Sequence, residues 1–264
     1  MKVYIFVDSE GQACITREPH PETVYGTFQG EYNRRRATDE TIAAVEGARA
    51  GGASEVIVHD AGFIRAHTPM SLTLFYEDLP RGIRIVMGPS PLKQVAPEGF
   101  DAAFLIGTHA RAGTPDGVMA HTFSSVTIRH MTLNGTSVGE IELHALQFGA
   151  FGIPVAMVAG DEAGCREATA CLGDVELAPV KRGLSTHSAV SLHPRDADDL
   201  IHGAAQAAMQ RVADFKPYER PGPYELHVDC NTAEQARVRA ERKGGTFIEP
   251  ASYVVRSDTP LNLI

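Results

Sequence analysis

Short apolar runs alternate with longer stretches of helical periodicity along the first two-thirds of the chain. Residues 2–8 (KVYIFVD) form a β-rich apolar run, which predicts a buried strand. Residues 33–50 carry Ala, Ile and Val at helical spacing and stop at Gly51-Gly52, a natural helix end. Further strands are predicted at 55–59 (EVIVH), 83–87 (IRIVM), 102–106 (AAFLI) and 154–158 (PVAMV), with helices over 137–150 and 161–172. Residues 124–133 alternate polar and apolar and run into Asn134-Gly135, a hairpin signal. Alternation of this kind implies an α/β fold, with three layers (α/β/α) around a largely parallel sheet.

The pattern changes towards the C-terminus. Residues 194–214 predict one long helix opened by Pro194, and the Pro-rich segment 216–223 (KPYERPGP) reads as a linker or exposed turn. After it come a strand (YELHV), a helix over 231–243 closed by Gly244-Gly245, and a strand near 252–256. The expected division is a catalytic α/β domain over 1–215. A small C-terminal α+β subdomain or oligomerisation element then covers 216–264.

Charge narrows the partners. A net charge of −9 over 264 residues argues against a nucleic-acid binder, which needs a concentrated basic face. The one basic cluster, Arg34-Arg35-Arg36, reads as a solvated helix start. No window approaches the roughly 20 apolar residues of a membrane span, and the N-terminus lacks the pattern of a signal peptide. Cys14, Cys165, Cys171 and Cys230 show no CxxC spacing, which suits a reducing cytoplasm.

Chemistry-bearing residues fall where strands end, and in parallel sheets ligands gather at the carboxyl ends. Asp8 and Glu10 close the first strand, His59 and His109 sit at the C-termini of others, His121 sits in a Gly-bearing loop, and Glu140 opens a helix with His144 one turn on. Carboxylates and imidazoles together are the ligand set of a catalytic zinc or similar divalent ion. Asp8 and Glu10 alternate along an extended segment, so both carboxylates can share a face, and paired negative charges favour a cation between them. His121, on a loop over the cleft, suits proton transfer near neutral pH. Arg111 fits a substrate carboxylate, a transition-state oxyanion or a structural acid. Taken singly, each has an ordinary reading: a solvated strand end for Asp8 and Glu10, a turn cap for His109, a surface acid at a helix start for Glu140.

The strings VDSEG, GTHARAGTPDGVMAHT, NGTSVGEIEL and PVAMVAGDE together resemble the DppA-like D-aminopeptidases, a family of zinc-dependent, self-compartmentalising peptidases. The resemblance runs from residue 1 to roughly residue 215. It implies that Asp8 bridges two zinc ions, that Glu10 ligates the first, and that His109 and Glu140 ligate the second. His121 would be the catalytic histidine near the scissile bond. One motif departs. The family carries a histidine two residues after an Asp, in a string like N-D-S-H, whereas here His59-Asp60-Ala61-Gly62 puts Gly62 at that place. His59 is the expected stand-in, with His67 as the alternative and His20 as a remoter candidate. The implied function is a metal-dependent aminopeptidase that removes the N-terminal residue of short peptides, D-amino-acid peptides among them. Metal-activated water would attack, with His121 as acid and base. Two rivals stand beside it: the same machinery acting on another small amide or lactam, and a non-catalytic binding or scaffold relative. The implied cofactor is zinc, as one or two ions. The implied assembly is a homo-oligomer, a decameric ring, with no nucleic-acid or membrane partner.

Overall fold

The apolar runs become the central strands of the larger of two sheets. The computed structural model describes residues 1–17, 27–61, 73–88 and 92–264. In chain order the first half contains β1 (Lys2–Val7), α1 (Phe28–Ala50), β2 (Glu55–Asp60), β3 (Arg84–Met87), α2 (Leu92–Val95) and β4 (Ala102–Thr108). Then come β5 (Ile128–Leu133), β6 (Thr136–Ser137), α3 (Glu140–Gly149), β7 (Val155–Asp161), α4 (Glu162–Leu172), β8 (Glu176–Ser185) and β9 (Ser188–Ser191). The chain closes with α5 (Pro194–Gln210), β10 (Tyr224–Cys230), α6 (Ala233–Lys243), β11 (Thr246–Ile248) and β12 (Ser252–Ser257).

Among the described residues the first sheet has the order β3-β2-β1-β4-β7-β8-β9. Its strands are parallel up to β8, and β9 returns antiparallel. β4 and β7 are buried at every position, which is why their sequences read as continuous apolar runs. Alternate side chains of β1 feed opposite faces. Val3, Ile5 and Val7 pack with Ala44, Val45 and Ala48 of α1 and Ile201 and Ala205 of α5. Tyr4 packs on the other face with Ile141 and Phe148 of α3 and Ala168 of α4. The three-layer α/β/α architecture expected from the sequence is therefore observed.

Helix starts follow local capping. α1 begins at Phe28, earlier than its apolar periodicity suggests, because Thr27 Oγ1 accepts the Gly30 N–H at 3.1 Å. Arg36 departs from its expected solvated role. It is buried between α1 and α5, with its guanidinium 3.3 Å from Asp39, 3.2 Å from Glu40 and 2.7 Å from Asp198, so three carboxylates and not water neutralise it.

The second sheet is antiparallel, with the order β11-β12-β10-β5-β6. Leu226 of β10 sits opposite Leu133 of β5. The core of this sheet takes Leu143 and Leu146 from α3 and Ala236 and Ala240 from α6, so α3 contributes to both cores. The boundary expected at 215/216 separates strands that share this one sheet, since β5 and β6 come from residues 128–137. All four cysteines are free, and no described helix is long and apolar enough to cross a membrane.

Candidate metal centre

β1 and β4 are neighbours, and both release their chains at the same edge of the sheet. The Asp8 N–H donates to the Ile106 carbonyl at 2.9 Å, and the Gly11 N–H donates to the Gly107 carbonyl at 2.7 Å. Gly107 has φ +68°, and a Cβ there would run into the Asp8 carbonyl, so glycine permits this close crossing. Ser9 then orients two acids at once. Its N–H lies 2.9 Å from Asp8 Oδ1 and 3.1 Å from Glu10 Oε2, and its hydroxyl donates to Glu10 Oε2 at 2.9 Å.

Two histidines face those acids. His109, just beyond β4, donates its Nδ1–H to the Ala110 carbonyl at 3.0 Å. His121 donates its Nδ1–H to the Met119 carbonyl at 2.8 Å. A carbonyl only accepts, so in each ring Nδ1 carries a hydrogen and Nε2 is the nitrogen turned towards the acids. The rings stack with centroids 4.2 Å apart and planes 8° from parallel. His109 Nε2 lies 3.6 Å from Asp8 Oδ2 and 3.4 Å from Glu140 Oε1, and His121 Nε2 lies 4.0 Å from Glu10 Oε1. Glu140 opens α3, where the helix dipole favours a negative charge, and its Oε1 accepts the Phe123 N–H at 2.7 Å. Met119 and Phe123, on either side of His121, both have positive φ (52° and 58°), a conformation costing roughly 1–2 kcal/mol in a non-glycine residue. Strain of this kind gathers at functional sites.

Two triads result, each with ligand atoms within 4.8 Å of one another: Asp8–Glu10–His109 and His109–His121–Glu140. Their electrostatics call for a cation. Burial works against a charged His109, yet the Glu140, Asp8 and Glu10 carboxylates outweigh it and hold the ring well above its ordinary pKa. Burial likewise opposes a charged Glu140, but His109 and His121 pull it down to about 2. Burial, with Glu140 nearby, pushes Asp8 up. His109 Nε2 is buried with no hydrogen-bond partner among the described residues. Its 3.4 and 3.6 Å separations exceed hydrogen-bond length. They are close to the spacing of about 3.3 Å between neighbouring ligands on a tetrahedral zinc with ~2.0 Å bonds. The donor set and its orphaned nitrogen thus fit a zinc ion.

The other expected residues are placed elsewhere. His59 does not join the cluster. Its Nε2–H donates to the Gly88 carbonyl at 3.0 Å, and its Nδ1 accepts from the Tyr4 hydroxyl at 2.9 Å, so neither nitrogen is left for a metal. Burial lowers its pKa to about 4. His67, Gly62 and His20 lie outside the described residues. His144 packs against Phe6 and Phe123, with ring centroids at 4.3 and 5.9 Å. Arg111 meets a structural acid: its N–H donates to Glu167 Oε2 at 2.9 Å and its guanidinium lies 3.6 Å from the same oxygen. Sequence reasoning missed Ser9, Glu167 and Asp161. Asp161 Oδ1 caps α4 through the Gly164 N–H, while Oδ2 accepts the Val118 N–H beside the turn that orients His121. An Asp between an apolar strand and a helical stretch was the available signal for that cap.

An α/β/α sheet that gathers three carboxylates and two imidazoles beside its strand ends has the donor set of a divalent-metal enzyme. The comparisons agree. The model of the Peptidase_M55 family, described as D-aminopeptidase, matches residues 1–263, and the chain belongs to this family. A D-aminopeptidase from Bacillus subtilis (strain 168) is 30% identical over 259 residues, covering 97% of this chain and 90% of that protein. The solved structure of the Zn-dependent D-aminopeptidase DppA from Bacillus subtilis, a self-compartmentalizing protease, is similar with a TM-score of 0.87 at 27% identity. The match covers 100% of this chain and 94% of that one. The expected fold class, enzyme class and aminopeptidase family hold.

Proposed function

We propose that this chain is a zinc-dependent aminopeptidase that removes the N-terminal residue of short peptides, D-amino-acid peptides among them. The observation that carries the reading is the buried, unpartnered Nε2 of His109, set between Asp8 and Glu140 and stacked beside His121. Asp8, Glu10, His109 and Glu140 would hold the metal, as one or two ions. When bound, zinc supplies a Lewis acid that polarises a scissile carbonyl and lowers the pKa of water.

The chain's own residues do the rest. His121 is anchored through Nδ1 on the Met119 carbonyl, so Nε2 is the atom that exchanges a proton with solvent or substrate. At that atom His121 takes a proton as the amide is attacked and returns it to the leaving amine. Ser9 keeps Asp8 and Glu10 facing inward, and the Phe123 N–H keeps Glu140 oriented. The proposed site residues all lie within 1–215. The relative's description as a self-compartmentalizing protease supports a homo-oligomer here, proposed as a decameric ring acting in the cytoplasm.

The test is zinc content measured together with turnover of D-Ala- and L-Ala-terminated dipeptides. Zinc with hydrolysis of the D-peptides supports the reading. Zinc without any peptide turnover favours another small amide or lactam, and absence of zinc favours a non-catalytic relative.

A further inference from the structure

Lys181 lies on β8, a strand that carries none of the proposed ligands. Its exposure is only 2%, and its Nζ donates to the carbonyls of Glu10 at 2.6 Å, Gln12 at 2.9 Å and Ile15 at 2.6 Å. An ammonium has three protons, so all are spent on the backbone of the segment that follows β1. Three carbonyl oxygens converging on one point are the surroundings a protein gives a cation. Without that cation they repel one another and lose their partners.

The neighbouring acids have other engagements. Asp161 accepts from the Gly164 and Val118 amides, and Glu40 accepts from the Ala13 N–H at 2.8 Å and from Arg36. The same segment is held through its N–H groups by Gly107 of β4, Glu40 of α1 and, at Cys14, the Ser191 hydroxyl of β9. Its carbonyls converge on Lys181. Glu10 is thereby gripped at both ends: Ser9 holds the carboxylate and Lys181 the carbonyl.

We propose that Lys181 is the positioning residue for the Glu10 half of the metal centre. Its ammonium acts as a fixed internal cation that shapes residues 10–15, so that Glu10 stands with Asp8 and His109 and faces His121. This rests on the zinc reading above and goes beyond it. No ligand is added: an ammonium on a different strand sets the quality of one triad and leaves the other alone.

The test is zinc titration of Lys181→Met and Lys181→Ala against the wild type, with melting temperature recorded alongside. In Lys181→Met the ion held through Glu10 is expected to weaken by about tenfold or more, the scale seen when an orienting partner of a ligand is lost. Where the wild type takes up two ions, the one held through Glu140 is expected to stay near its wild-type affinity; where it takes up one, the loss in Lys181→Met is expected without a matching fall in melting temperature. In Lys181→Ala, ethylammonium is expected to restore the lost affinity and ethanol is not. A residue that merely props the fold would give neither the selectivity nor the charge-dependent rescue. Should Lys181→Met fail to fold, Lys181→Gln, which keeps two donors, is titrated in its place.

Unchanged affinity at both positions would overturn the proposal. So would an equal loss at both that follows the melting temperature and ignores ethylammonium. A wild-type protein without zinc would count against the zinc reading instead. The crystal structure of Lys181→Ala with and without ethylammonium would then decide this inference alone, and a Glu10 carboxylate unmoved between the two would overturn it.

Discussion

β1 is flanked by β2 on one side and β4 on the other, and each flank delivers a buried histidine towards its carboxyl end. His59 and His109 are 1% and 2% exposed, so burial does not separate them. Their partners do. His59 meets a hydroxyl and a carbonyl, both neutral, and burial takes its pKa down to about 4. His109 gives one nitrogen to a carbonyl and turns the other, unpartnered, towards Asp8 and Glu140, whose charges hold its pKa up against the same burial. Two imidazoles near the carboxyl ends of neighbouring strands, His59 level with Phe6 of β1 and His109 just beyond the end of β4, thus become a structural pin and a proposed ligand. What decides between them is whether the second nitrogen has a neutral partner or a carboxylate wall.

The contrast is tested most strongly by removing each ring. His109→Ala is expected to lose zinc by more than the roughly 100-fold typical of an orienting partner, whereas His59→Ala keeps its zinc. Elemental analysis of both purified variants reads this out, and the opposite ranking would reverse the assignment. Asp8→Ala is expected to behave like His109→Ala. His121→Ala comes next: it keeps zinc but turns over peptide about a hundredfold more slowly or worse, the scale of lost acid–base catalysis. Wild-type rates in that variant would remove His121 from its role.

A smaller effect concerns His59 and pH. Its pKa falls from 6.5 in the ordinary state to about 4 in the fold. Between those values the unfolded chain binds a proton that the native protein refuses, so stability rises with pH across the window and is lost as pH falls. The difference is on the order of 3 kcal/mol, at about 1.4 kcal/mol per unit. Urea midpoints of metal-free wild type and His59→Gln, compared from pH 6.5 to 4, are expected to show the slope shrinking in the variant. An identical slope would mean that His59 is not held neutral. The smallest effect is that of Tyr4→Phe, which deletes one neutral hydrogen bond to His59. It is expected to cost about 1 kcal/mol and to leave zinc content unchanged.

The strands around the site were legible because a parallel strand covered on both faces must be apolar throughout, as β4 and β7 are. β8 was not legible. Its string ELAPVKRGLS holds Pro179 and Lys181, neither of which looks like core. Lys181 is buried only because backbone carbonyls receive it, and carbonyls leave no mark on a sequence. The pairing of Leu133 with Leu226 was equally hidden, since local alternation marks a strand but does not name its distant partner. At the site, the acids and imidazoles could be found from their places at strand ends together with the family resemblance. His59 seemed equivalent to His109 because position along a strand is readable. The Tyr4 hydroxyl and Gly88 carbonyl that occupy it are brought there only by the fold.

The most direct measurement is diffraction from zinc-loaded crystals at the zinc absorption edge. Anomalous density is expected among Asp8, Glu10, His109 and Glu140, within bonding distance of His109 Nε2, and none beside His59. A zinc-loaded crystal with His109 Nε2 still bare, or with the ion seated at His59, would contradict the assignment of this cluster as the metal centre.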